Sequence, residues 1–225
     1  MTKEQTLEFL EQMPSELEML KIGLELFTAF GPEFVTEIHE RFNKRIFLDL
    51  KLHDIPNTVA KTLGSLSKLP IEFITVHLSG GTQMLEACQS IRNEKMSHVN
   101  ILGVSYLTSL DQLNFQETWG FKEADIPLAF DRLFGLAFKT KTQGIVCSAQ
   151  ELPLLEELKT KFSREIQSVC PGIRFSDEIA SGSIGDQKRV LTPAQAFEQG
   201  ASYIVMGRSL TQASDLSSRV NQLNQ

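Results

Sequence analysis

The side chains best placed to do chemistry cluster in Arg45 to Ala60, RIFLDLKLHDIPNTVA. Ile46 to Leu50 is a short apolar, β-prone run of the kind that forms a buried strand. Asp49 and Lys51 interrupt it. Successive side chains on a strand alternate between faces, so Phe47, Asp49 and Lys51 share one face and Ile46, Leu48 and Leu50 the other. A carboxylate and an ammonium thus stand side by side at the end of a buried strand. Buried charges are expensive unless paired. Asp54 follows in the loop, Pro56 starts or precedes the next helix, and Asn57 or Thr58 falls near its first turn. By itself the spacing D-x-K-x-x-D fits a structural ion pair as well as a reactive one. Its place favours chemistry, because the charges lie where a strand of an α/β barrel opens into the active-site face.

The elements that must position these groups alternate along the chain. Thr2 to Gln12 reads as a helix and Leu17 to Gly23 as a strand, with Lys21 on the same face as Met19 and Gly23. A turn over Glu25 to Phe30 leads to a helix over Gly31 to Phe42, and the strand with Asp49 and Lys51 follows. Helices then fall at Thr58–Lys68, from Gly80 and Gly81 to Ile91, and at Ile126–Lys139, Ala149–Lys161 and Thr192–Gln199. The last of these is capped by Thr192, with Pro193 at its first position. Strands fall at Glu72–His77, Asn100–Leu107, Gly144–Cys147, Ile166–Cys170 and Tyr203–Met206, and a final helix ends the chain. The stretch from Leu107 to Lys122, with Trp119 and Gly120, reads as irregular. Gly172 to Lys188, rich in Gly, Ser and Asp, reads as a mobile loop. Strand–helix alternation argues a parallel sheet with crossover helices. The expected architecture is therefore a TIM-type (β/α)8 barrel, forming one domain over residues 1–225, with seven of its eight strands visible.

Three further positions sit at strand ends. Ser148 has an ordinary reading as a helix cap, as does Thr108. Arg208 follows Gly207 just after the last strand. Loops after the seventh and eighth strands of barrels often bind phosphate, and Arg suits a phosphate dianion, although a surface Arg is the plain alternative.

Composition bounds the function. At 225 residues, 41% hydrophobic and 22% charged, the chain has the make-up of a soluble globular protein. No apolar run approaches the roughly 20 residues needed to span a bilayer. The opening MTKEQTLEFLEQ is acidic and lacks a signal-peptide core, which points to the cytoplasm. A net charge of −6 argues against a nucleic-acid surface, though a local cluster of donors can still hold an anionic substrate. Cys88, Cys147 and Cys170 read as small buried residues rather than disulfides or zinc ligands. Four scattered His with no paired spacing give no metal site.

FLDLKLHDIPNTV resembles the signature of the orotidine 5′-phosphate decarboxylase family, whose members carry out the last step of pyrimidine nucleotide synthesis. The resemblance continues through VHLSGG (Val76–Gly81), LTS (Leu107–Ser109), GIVCSAQE (Gly144–Glu151), PGIR (Pro171–Arg174), GDQKRVLTPAQA (Gly185–Ala196) and VMGRSLTQA (Val205–Ala213). It implies a decarboxylase that converts orotidine 5′-monophosphate to uridine 5′-monophosphate and CO₂ with no metal and no organic cofactor. Lys51 would protonate C6, and Asp49 would disfavour the departing carboxylate. Lys21 and Asp54 would complete an alternating Lys–Asp–Lys–Asp array, with Asp54 supplied across the interface of a homodimer. A carboxylate neighbour favours the charged form of a desolvated lysine, and a cation is what a forming carbanion needs. Substrate contacts would come from Leu50, Leu52, His53, Ile55, Pro56, Asn57, Thr58, Thr108, Ser148, Arg174, Gln187, Gly207 and Arg208. Ser148 would read the base; Arg174, Gln187 and Arg208 would serve the phosphate. On its own terms His53 reads as structural. Closure of the loop over Gly172 to Lys188 would exclude water.

The chain departs from the family at its start. Members begin with a strand whose aspartate contacts the ribose, and nothing in this sequence matches it. The expectation is a chain truncated at the N-terminus relative to the family, with Met1 inside the loop after the true first strand. Two other readings stand beside the first: a metal-dependent sugar-phosphate decarboxylase or aldolase of the same superfamily, which a chelator would reveal, and an inactive truncated copy.

Overall fold

The structure is a computed structural model and describes residues 2–182 and 189–224. Seven parallel strands lie in sequence order in one curled sheet: β1 (Met19–Gly23), β2 (Arg45–Leu52), β3 (Phe73–His77), β4 (Asn100–Val104), β5 (Gly144–Val146), β6 (Gln167–Cys170) and β7 (Tyr203–Ile204). The sheet is a half-barrel of TIM type. Among the described residues β1 and β7 have no strand partner on their outer sides.

Alternation along the strands builds two apolar layers. The inward set is Phe47, Phe73, Leu102, Val104, Val146 and Val169, with Met19, Tyr203 and Val205 packed against it. The outward set, including Ile22, Ile46, Leu48, Leu50, Ile74, Val76, Ile101, Ile145 and Cys170, meets the helices in one continuous core. Parallel strands buried on both faces read as near-continuous apolar runs, which is why these strands were legible from composition.

The helices are α1 (Lys3–Glu11), α2 (Leu24–Phe42), α3 (Pro56–Leu66), α4 (Gly81–Lys95), α5 (Gln112–Trp119), α6 (Ile126–Lys139), α7 (Leu152–Phe162), α8 (Ser176–Ala180), α9 (Pro193–Glu198), α10 (Arg208–Thr211) and α11 (Leu216–Asn221). Thr2 caps α1 in a capping box with Gln5, and Thr192 caps α9 in the same way with Gln195. In α2 the expected turn before Gly31 is helical, but the break is real. Gly31 takes φ 75°, which a residue with a Cβ rarely adopts, and Pro32 restarts the helix.

Two expectations are corrected. The stretch read as irregular contains α5, capped at its start by Asp111 with Asn114 and closed by Gly120 in the left-handed region. The stretch read as a loop from Gly172 contains the short helix α8; residues 183–188, on which part of that reading falls, lie outside the described residues. No helix among the described residues is long and apolar enough to cross a membrane.

Candidate active site

The C-terminal ends of the strands bring Lys21, Asp49 and Lys51 together. The β1–β2 register places Lys21 beside Phe47 and Gly23 beside Asp49. With no side chain opposite Asp49, the Lys21 ammonium reaches up the sheet to within 3.4 Å of Asp49 Oδ2. Lys51 Nζ donates to the same oxygen at 2.7 Å. Lys51 departs from regular strand geometry: its φ is +49°, and the β2–β3 register shifts between Leu48 and Leu52. An irregularity of this kind at a barrel rim re-aims a side chain.

Thr75 holds that irregularity in place. It is fully buried on β3, on the inward face it shares with Phe73. Its Oγ1 accepts the Lys51 backbone N–H at 2.8 Å and donates to Asp49 Oδ1 at 2.9 Å. The sequence reading missed Thr75. The signal was present: a polar residue at an inward position of the apolar strand FITVH, two residues from Phe73.

Asp49 is buried. Burial works to raise its carboxyl, but Lys21, Lys51 and the hydrogen bonds from Lys51 and Thr75 prevail and hold it below the ordinary carboxylate value. The site is therefore a desolvated carboxylate between two ammonium groups, its two oxygens already engaged. His53 and His77 lie close by, their rings tilted at 38° with centroids 5.1 Å apart. Burial, with His53 and Lys51 nearby, pulls His77 below the usual imidazole value.

The charged cluster forms one wall of a cavity of about 310 Å³ that also takes in Leu107, Thr108, Val146, Arg174, Gly207 and Arg208. Arg174 is buried and donates from Nη1 to its neighbour Ile173 O at 2.9 Å. Burial draws its guanidinium below the usual value, Glu178 opposes that, and nearby Arg208 adds to it. Two guanidinium groups close enough to repel mark a place where an anion would be stabilised. Both also line an open groove of about 740 Å³ over α8, α10 and α11.

The remaining sequence-read residues are distributed as follows. Ser148 is buried at the end of β5, and its Oγ accepts the Gln150 N–H at 3.3 Å, so its capping reading holds. Leu50 and Leu52 pack into the layer between sheet and helices rather than along the cavity. Asp54 is exposed beyond β2, and its Oδ1 accepts the Ile55 N–H at 2.6 Å. It stands apart from the Lys21–Asp49–Lys51 cluster, and Ile55 beside it is 67% exposed. Pro56, Asn57 and Thr58 open α3. Gln187 lies outside the described residues.

Comparison with known proteins agrees with this fold. The model of the orotidine 5′-phosphate decarboxylase / HUMPS family matches residues 1–223. A relative from Aliivibrio fischeri named orotidine 5′-phosphate decarboxylase is 40% identical over 220 residues, covering 97% of this chain and 89% of its own. One of the same name from Idiomarina loihiensis is 38% identical over 224 residues, covering 99% and 92%. Among solved structures, an orotidine 5′-phosphate decarboxylase from Lactobacillus acidophilus superposes with a TM-score of 0.79 at 29% identity, over 99% of this chain and 92% of that one. An uncharacterized conserved protein from Geobacillus kaustophilus gives 0.78 at 27%, over 99% and 94%.

Proposed function

Since the chain belongs to the orotidine 5′-phosphate decarboxylase / HUMPS family, we propose that it is a carboxy-lyase that converts orotidine 5′-monophosphate to uridine 5′-monophosphate and CO₂, in the cytoplasm and in the service of pyrimidine synthesis. The observation that carries the reading is the buried Asp49 carboxylate gripped by the Lys21 and Lys51 ammonium groups at the cavity wall.

The chemistry follows from that grip. The bond between C6 and the carboxylate breaks, CO₂ leaves, and the electron pair stays on C6. The ring delocalises that pair poorly, so a cation fixed beside C6 stabilises it. Lys51 fills that role and then gives C6 a proton. Asp49 serves in two ways. It fixes the lysines in place before substrate arrives, and its negative charge opposes the substrate carboxylate but not the departing neutral CO₂. Arg174 and Arg208 take the phosphate at the far side of the cavity, Gln187 joining them, and Thr108 and Ser148 serve the base end. Binding energy at the phosphate then helps to hold the reacting carbon against Lys51.

Asp54 enters from the neighbouring subunit of a homodimer. Its exposure, and that of Ile55 beside it, support a role across an interface rather than within one chain.

The test is Lys51→Ala. The variant should fold as the parent does and lose decarboxylation. Turnover within tenfold of an active parent would overturn the assignment.

A further inference from the structure

Among the described residues, the most heavily shielded charged pair outside the Asp49 cluster is Glu151 with Arg189. Arg189 Nη1 donates to Glu151 Oε1, and the two side chains are 18% and 10% exposed. They join the turn that follows β5 to the segment that leads into the Ile173–Leu191 bridge after β6. Glu151 closes the turn Ala149–Glu151 after β5, where its N–H bonds Ser148 O at 3.1 Å. Arg189 lies on the strand-like return after β6, its guanidinium 5.6 Å from the ring centre of Phe130 on α6. Two residues on, Leu191 bridges to Ile173 and accepts the Arg174 N–H at 3.0 Å.

We propose that Glu151 and Arg189 are positioning residues, a strap that holds the turn opened by Ser148 in register with Arg174 at the cavity wall. This rests on the reading above, in which Ser148 serves the base and Arg174 the phosphate. A ligand that spans both ends meets both sets of groups at once, so a small misregister between them weakens it more than a ligand that touches one end.

The pair is poorly made for stability alone. Glu151 Oε2 and Arg189 Nε and Nη2 are buried with no hydrogen-bond partner among the described residues. A buried ion pair with unmet polar atoms is commonly no better for stability than two apolar side chains of similar size. What apolar residues cannot supply is a directional tie between two segments 38 residues apart in sequence.

The experiment uses Glu151→Gln and the paired Glu151→Met/Arg189→Met variants of the full chain. The paired variant keeps the volume and removes both charges, so it should stay folded where a single change leaves a lone charge. In both, affinity for uridine 5′-monophosphate should fall about tenfold while that for ribose 5-phosphate changes less than about twofold. A purely structural pair would not make that split. Folded variants that bind both ligands as the parent does, or lose both equally, overturn the strap. Amide hydrogen exchange gives an arm that needs no ligand: residues 145–152 and 189–193 should both exchange faster in the variants. Unchanged exchange at either segment refutes the strap even if the parent fails to bind uridine 5′-monophosphate, a failure that would count against the proposed substrate instead.

Discussion

Thr75→Val changes the site least in shape and most in bonding. The side-chain volume is kept and one hydroxyl goes. That hydroxyl is fully buried, so water cannot take its place. Two bonds are lost: the one accepted from Lys51 N at 2.8 Å and the one given to Asp49 Oδ1 at 2.9 Å. A buried donor left unmet costs about 1–3 kcal/mol, and a hydrogen bond to a charged acceptor contributes about 1.5–3 kcal/mol. Lys51 also sits at φ +49°, a conformation that persists only when its surroundings enforce it. A loss of roughly 3–5 kcal/mol in a chain of this size lowers the melting temperature by at least about 6 °C. With Lys51 no longer pinned, turnover of orotidine 5′-monophosphate should drop about 100-fold, the scale of a misplacement of about 1 Å. Thr75→Ser, which keeps the hydroxyl, should recover most of both losses. Thermal melting and a spectrophotometric decarboxylation assay read the two effects. A Val variant that melts within about 2 °C of the parent and turns over within about threefold would refute the reasoning, because the Thr75 bridge would then hold nothing.

Arg208→Ala should weaken inhibition by uridine 5′-monophosphate by about 10- to 150-fold, as loss of a charge-assisted pair of about 1.5–3 kcal/mol requires; unchanged inhibition would remove Arg208 from the phosphate end. Mixing inactive Lys51→Ala and Asp54→Ala proteins should restore part of the activity, since exchange creates one site free of both changes, and no recovery despite exchange proven by mass spectrometry would place each site within one chain. Glu151 sets a pH dependence: burial pushes its carboxyl from 4.5 up to about 7, against Arg189 and the Ser148 N–H, which pull it down. Besides Arg189, the titratable neighbours are Cys147 and, through it, Cys170. Between those two pH values the folded chain keeps a proton that the unfolded chain has released, so stability falls as pH rises from 4.5 to about 7, by about 3 kcal/mol. Denaturant melts at pH 5 and pH 8 should show that fall in the parent and a flatter response in Glu151→Gln; equal slopes would contradict it.

Much of the scaffold was legible because parallel strands are apolar on both faces and their order here follows the sequence. Alternation put Asp49 and Lys51 on one face of their strand, whereas Lys21 joined them only through the family resemblance, since it stands on a different strand. What escaped notice had specific causes. Helix α5 buries only Phe115, and Leu113 and Trp119 stay exposed, so no apolar stripe announced it; Asp111, Asn114 and Gly120 did mark its ends. The left-handed turn at Lys51 leaves no trace in an alternation that continues through it. The Glu151–Arg189 contact joins positions that no periodicity links. Thr75 is different, since it was readable by the same rule that found Asp49 and was passed over because a threonine in a strand is ordinary.

The open side of the sheet bears directly on the charged cluster. Between β7 and β1 lies an apolar slot of about 290 Å³, lined by Met19, Phe47, Phe73, Tyr203, Val205 and, at its upper end, Lys21. Lys21 therefore faces both the slot and the cavity. Its side chain is 34% exposed, much like Lys51 at 32% and against 11% for Asp49, so the two lysines differ in their strand neighbours and not in exposure. Coulombic attraction strengthens as water is excluded, so the hold of Lys21 on Asp49 depends on what covers the slot. An extended segment seated there would pair the outer backbone groups of both edge strands and bury Met19, Tyr203 and Val205. It would also dry the Lys21 ammonium. Completing the sheet and sharpening the field at Asp49 are thus one physical event. Lys51 is placed otherwise. Its tie to Asp49 and the Thr75 bridge rest on β2 and β3, which have strand neighbours on both sides. Half of the cluster is preorganised by the interior of the sheet, and half is tuned from its edge.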